Sequence, residues 1–525
     1  MGSREDKHAA FNEQMNAWLS KQGFWFQLRH ASGDQTIVPR LIGIALRLLV
    51  LLIVCVFGLW IYLVKRVENK SFRENMRSSI ELSLKGKDCQ IGGFRKKGDI
   101  ATLSSVKMTG TEESFFHQLS ADRIRTSMTL TDGFLKSWNG RGLSIEELDL
   151  KVKAGGSTNE AAAASFQSLF VPEEGFKFNR IECEDTNITW GYSELNEGSI
   201  SGSTLIAVRD GDGWILEFTG GHFSQSWLKG LGIKKMVVLC YSKGISIQET
   251  ELTGKNGEGS LMLNAEIGSG AKPKIKGDIK LRHIPIKALI APAYNEWVEG
   301  NISGEGEVGG STNSQEGVTF DIDFDLQDGD MISIRDGLPL LSALTVIDVH
   351  NSYDKVSFTQ GGCQMFTGGG LFKLESLDFE AGDLLALKGG INARPPSHIE
   401  IAQALDIKDL SKIEDVLENN FKIAIEELDT GDADQIKKPE SSKDTIAEFF
   451  KKDVLAEVGI KRFFGKLELG LQPNVFAKIN ELSEEYPLDT ETGKVWFDVP
   501  LNGTFETLTL KQSKMLYTKG RFRDN

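Results

Sequence analysis

The chain has 525 residues, a formal net charge of −14, 26% charged residues and 40% hydrophobic ones. That balance is globular and acidic, and it excludes a nucleic-acid binder, which needs a basic face. Cys89, Cys183, Cys240 and Cys363 stand far apart and form no C-x-x-C pair; three pairings or four free thiols are all open.

Residues 1–36 read as a cytoplasmic tail. Phe11, Met15 and Trp18 recur at helical spacing ahead of Phe24-Trp25-Phe26. The pattern fits a short helix resting on a membrane surface, or a frayed tail with scattered aromatics.

Residues 37–64 read as a transmembrane helix. Leu48–Val64 carry no charge, and Leu41–Leu46 lengthen the run, interrupted only by Arg47. The stretch is long enough for a hydrocarbon core of roughly 30 Å. Pro39 suits a first helical turn, and Trp60 and Tyr62 suit the headgroup level before Lys65 and Arg66. A cleaved signal peptide does not fit so long a preceding segment. Arg4, Lys7, Lys21, Arg29 and Arg40 on one flank balance Lys65, Arg66, Lys70, Arg73, Arg77 and Lys85 on the other. Only Arg47, able to snorkel back, favours a cytoplasmic N-terminus.

From residue 65 to 430 the dominant period is two. Phe320, Ile322, Phe324 and Leu326 alternate with Asp321, Asp323 and Asp325. Leu261, Leu263 and Ile267 alternate with Met262, Asn264 and Glu266, and Ile275, Ile279 and Leu281 with lysines and Asp278. Leu148–Val152 and Leu467–Leu471 repeat the pattern, and Asp210–Gly213 and Gly254–Gly257 supply turns. These are strands with one apolar and one wet face. Pro285–Tyr294 and Leu338–Leu344 read as short helical pieces. Residues 431–443 read as a polar linker, and 444–525 as a helix over Asp444–Val458 followed by terminal strands that complete the sheet. The fold class is mostly β: an elongated, curled antiparallel sheet with few short helices. A curled sheet of two to three dozen strands would extend on the order of 100 Å, although a compact sandwich would use the same pattern.

Chemical motifs are sparse. Gly304–Gly309 matches G-x-G-x-x-G, but no helix follows it and Glu305 and Glu307 would repel a pyrophosphate, so an ordinary glycine turn is expected. Read as a phosphate loop, the stretch puts Gly310 where lysine belongs. Asp321, Asp323, Asp325, Asp328 and Asp330 resemble a calcium loop only in composition: Leu326 and Ile332 occupy positions that need glycine and glutamate. His8, His30, His117, His222, His283, His350 and His398 are scattered, and no G-x-S-x-G elbow is present. No catalytic residue, cofactor site or metal site is expected.

The segments Ile91–Phe94, Ala101–Met108, Leu119–Met128 and Leu143–Leu150, coming after a single N-terminal span, resemble the opening of the AsmA-like proteins of bacterial envelopes. Ile279–Ile290 with Gly300–Gly306, Gly337–Leu344, Leu374–Phe379 with Leu385–Ile391, and Val499–Thr504 resemble the later parts of that family. The resemblance implies an inner-membrane anchor and a periplasmic body shaped as a long β-groove. It further implies that the body moves or organises phospholipids for envelope biogenesis, with membrane phospholipids and other envelope proteins as partners. On that reading Leu261, Leu263, Ile267, Ile275, Ile279, Leu281, Phe320, Ile322, Phe324 and Leu326 line an open lipid trough, and a charge at Ile322 or Phe324 blocks passage while sparing the fold. The rival readings are an envelope assembly scaffold that binds through strand edges and an anchored hydrolase.

Overall fold

The computed structural model describes residues 4–23, 25–26, 47–59, 61–62, 70–127, 138–140, 142–153, 176–191, 197–211, 213–241, 243–290, 295–314, 316–327, 329–335, 339–348, 350–394, 462–503 and 508–521. The expected linker 431–443 and the Asp444–Val458 helix lie outside the described residues, as does much of the expected span.

Among the described residues twenty-two strands form one sheet and a short parallel pair, Trp138–Gly140 with Phe176–Phe178, stands outside it, so the chain is mostly β. Each strand of the sheet pairs antiparallel with a neighbour close in sequence, from Gly86–Ile91 at one edge to Val495–Gly503 at the other. One junction is parallel, where Leu143–Val152 meets Arg180–Trp190. Arg462–Leu471 pairs with Leu385–Arg394 across the whole intervening segment, so the terminal strands join the same sheet. The alternation read from sequence reappears as burial. In Val318–Asp325 every second residue is buried and each aspartate is exposed.

Regular strands would make a gently twisted sheet; bulges bend this one. Asp88, Glu249, His283 and Ser376 have φ of 56°, 46°, 49° and 51°. Each sits where the pairing register shifts. An extra residue in one strand unpairs the ladder locally and turns the strand. The His283 bulge is pinned twice. Its backbone N–H donates to the buried Ser303 hydroxyl, and its Nδ1 lies 2.8 Å from the buried Asp330 carboxylate.

The apolar face carries one continuous cluster that runs from Cys89 to Leu516. Short elements cover parts of it. The 3-10 turn Ile286–Ala288 packs between strands Leu228–Tyr241 and Val298–Gly310. Helix Pro339–Ile347 buries Leu340, Leu341, Ala343, Leu344 and Ile347 and packs on helix Leu510–Arg521. After it, Asp348 accepts hydrogen bonds from the His350 N–H, the Asn351 side chain and the Tyr353 hydroxyl, which tie the helix end to the next strand. At the opposite end, helix Lys70–Leu84 seats Phe72 and Met76 on Ala101, with Phe72 5.7 Å from the Phe94 ring.

The N-terminal helix Arg4–Leu19 leaves Phe11, Met15 and Trp18 exposed, and Trp18 meets Phe26 edge-on at 5.8 Å. Residues 47–59 and 61–62 are helical. Among the described residues no helix is long and apolar enough to cross a membrane. Every large apolar side chain from Leu48 to Leu59 is nonetheless more than half exposed.

Candidate lipid-contact face

The ten residues singled out from sequence share one face and fall into rows. Leu263 stands opposite Ile279, which stands opposite Gly306, which stands opposite Ile322. Leu261, Leu281, Gly304 and Phe324 form the next row, and Ile267 pairs with Ile275. Leu326 continues the face just past its strand. The glycines are steric necessities: a Cβ on Gly306 would lie 2.0 Å from the Asp321 carbonyl, and one on Gly304 2.8 Å from the Phe324 ring. Small residues in one strand therefore make room for large ones on both sides. Gly304–Gly309 lies inside strand Val298–Gly310 and not in a turn, which corrects the expectation and leaves no phosphate loop there.

Nine of the ten are buried, none above 8% exposure; Ile267 is half-buried. Where an open trough was expected, protein side chains fill the face. Trp227, in the turn before Leu228–Tyr241, lies edge-to-face on Phe320 with ring centroids 5.6 Å apart. The covering is uneven. Trp214, Leu216, Val238, Ile247 and Ile267 form a half-buried margin on the same face. Phe372, Leu374, Ile391 and Leu467 form another. Apart from Ile267, sequence reasoning did not single out these positions as part of the face, because several sit beside bulges, where alternation slips.

The opposite face is polar. Asp321 and Asp323 stand directly across from Glu307 and Glu305. Lys280 pairs with Glu305, and Gln364 donates to Asp321. The sheet's edges are blunted. Helix Lys70–Leu84 packs against the first strand. In the last strand Pro500 removes one donor, its carbonyl accepts from Gln512, and Leu488 bridges Val495. A proline and a covering segment are common defences against strand addition.

Groups able to do chemistry are dispersed. All five cysteines are unpaired. Burial pushes the Cys89 thiol up to about 11 and those of Cys240 and Cys363 to about 12, which keeps them protonated and poor nucleophiles. Burial, with Lys153 and Lys151 nearby, lowers His117 to about 4. Among the described residues no group of three or more His, Cys, Asp or Glu is placed to hold a metal. A cleft of about 720 Å³ between the end of helix Lys70–Leu84 and the 111–113 turn is lined by Glu81, Leu82, Lys85, Thr111, Glu112 and Glu113. Ser78 also lines it, and the Thr111 hydroxyl donates to the Lys85 carbonyl. His30 and His398 lie outside the described residues.

No known family, curated protein or solved structure matches this chain.

Proposed function

We propose that the protein is a non-enzymatic, membrane-anchored envelope protein whose curled sheet shields phospholipid acyl chains on its apolar face. The observation that carries this reading is that, among the described residues, one twenty-two-stranded sheet carries the apolar face, with only the short pair Trp138–Gly140 and Phe176–Phe178 outside it. In an ordinary sandwich two inner faces interdigitate and seal each other. Here the face is covered by its own curl, by short helices and by Trp227, and its margins stay half-exposed. Acyl chains need only an apolar surface, each buried CH₂ contributing about 0.8 kcal/mol. The exposed apolar helix from Leu48 to Leu59 supports the anchor. The proposed placement is a bacterial inner membrane, with the N-terminus cytoplasmic and the sheet in the periplasm. The scaffold reading is less favoured, because the edges it would use are blunted by Pro500 and helix Lys70–Leu84.

Extracting the purified full chain and identifying its lipids by mass spectrometry tests the proposal. Phospholipid should remain bound after washing that removes lipid from a control carrying residues 1–69 alone. Equal lipid on both would reject the reading.

A further inference from the structure

Among the described residues four buried side-chain atoms have no hydrogen-bond partner: Thr186 Oγ1, Asn295 Oδ1, Trp227 Nε1 and Thr367 Oγ1, and the last two lie together. These two belong to residues flanking the same side chain. Trp227 covers Phe320, and Thr367 is its direct cross-strand partner. Thr367 is 5% exposed and faces inward between Phe320 and Phe372. A buried donor left unmatched normally costs more than a made hydrogen bond returns. Two around one phenylalanine call for an acceptor brought from outside.

We propose that Trp227 and Thr367 hold the ester carbonyl of an acyl lipid over Phe320. This rests on the lipid-shielding reading above and adds to it which lipids are kept. A carbonyl oxygen has two lone pairs and accepts one bond from the indole N–H and one from the hydroxyl. The hydrocarbon beyond the ester lies along the face toward Phe372 and Leu374. Trp227 is the side chain that moves to admit it. It stands in a turn, beside Ser226 at φ 53°, and no hydrogen bond holds its indole. The site therefore distinguishes acyl esters from chains of equal length joined by ethers, which lack the carbonyl.

The test uses the full chain in vesicles of phosphatidylcholine containing a trace of a diazirine-tailed probe, in diacyl or dialkyl-ether form. Crosslinks are quantified on peptides from 318–326 and 360–368, which separates this face from lipid around the membrane helix. The ester probe should label these peptides about tenfold more than the ether probe, the ratio one good hydrogen bond supports. Thr367→Val should reduce that preference, and Thr367→Val with Trp227→Phe should abolish it, while ether labelling persists. Thr367→Val is close to isosteric, so its unfolding temperature should hold or rise. Equal labelling by both probes, or a preference that survives in the double variant, overturns the proposal and leaves the two atoms to a buried water. No labelling by either probe overturns the lipid reading as well.

Discussion

Trp227 and Phe320 touch edge to face at 5.6 Å between centroids, yet five strand spacings separate Leu228–Tyr241 from Val318–Asp325. At about 4.8 Å per spacing, that path along the sheet is roughly 24 Å. The sheet must curl strongly for the rings to meet. Its apolar face then closes on itself where the curl is tightest and opens where it relaxes, which accounts for deep burial at Ile322 beside half-burial at Ile267.

Ile322 is fully buried, and Asp321 beside it is exposed. Ile322→Asp places an unpaired charge in the interior at a cost of several kcal/mol, comparable with a domain's whole stability. Thermal melts should show no cooperative transition. This replaces the expectation that a charge here spares the fold, since that required an open trough. Asp321→Lys turns the facing Glu307 from a like charge into a partner and should stabilise by on the order of 0.5 kcal/mol, less in high salt.

Ser376 occupies the left-handed region at φ 51° in an exposed bulge. Side chains there are strained, and glycine is not. Ser376→Gly should raise stability by about 0.5–1 kcal/mol in urea unfolding. A loss of that size would mean the strand runs straight at this point and the bend lies elsewhere.

His117 is held neutral by burial and by Lys153 and Lys151, with its pKa lowered from 6.5 to about 4. The unfolded chain takes up a proton near 6.5, whereas the folded chain resists until about 4. Stability from this site is therefore present above pH 6.5 and is lost as the pH falls toward 4. His117→Gln should flatten that part of the profile of unfolding temperature against pH. A variant that melts in parallel with the wild type throughout the window would contradict the shift.

If the sheet is periplasmic, a reporter active only outside the cytoplasm should work when fused after Asn525. Protease added to spheroplasts should then digest the sheet and spare the tail. Activity of a strictly cytoplasmic reporter at that fusion point would reverse the orientation.

Strands were legible wherever apolar and charged residues alternated without error, as from Phe320 to Leu326, because side chains point to opposite faces with period two. The helix at Pro339–Ile347 and the turn at Ile286–Ala288 fell where short helical pieces were expected. The bulges were not legible. Glu249 and Ser376 are residues that seldom adopt positive φ, Asp88 and His283 do so somewhat more often, and nothing in their neighbours announces it. Without bulges the curl is invisible, and so is the contact of Trp227 with Phe320. The Gly304–Gly309 strand was misread for a related reason: glycine marks a turn and a close strand approach alike, and only the facing Ile322 and Phe324 decide between them.

The central claim is that lipid lies on one face of the sheet and not on the other. A photoreactive benzoylphenylalanine placed singly at Trp214, Ile247 or Leu374 on the apolar side, and at Asp323 or Glu307 on the polar side, reads this directly in native membranes. Lipid adducts should form at the first three positions and be absent at the last two. Adducts in equal yield on both faces, or on neither, would contradict the account.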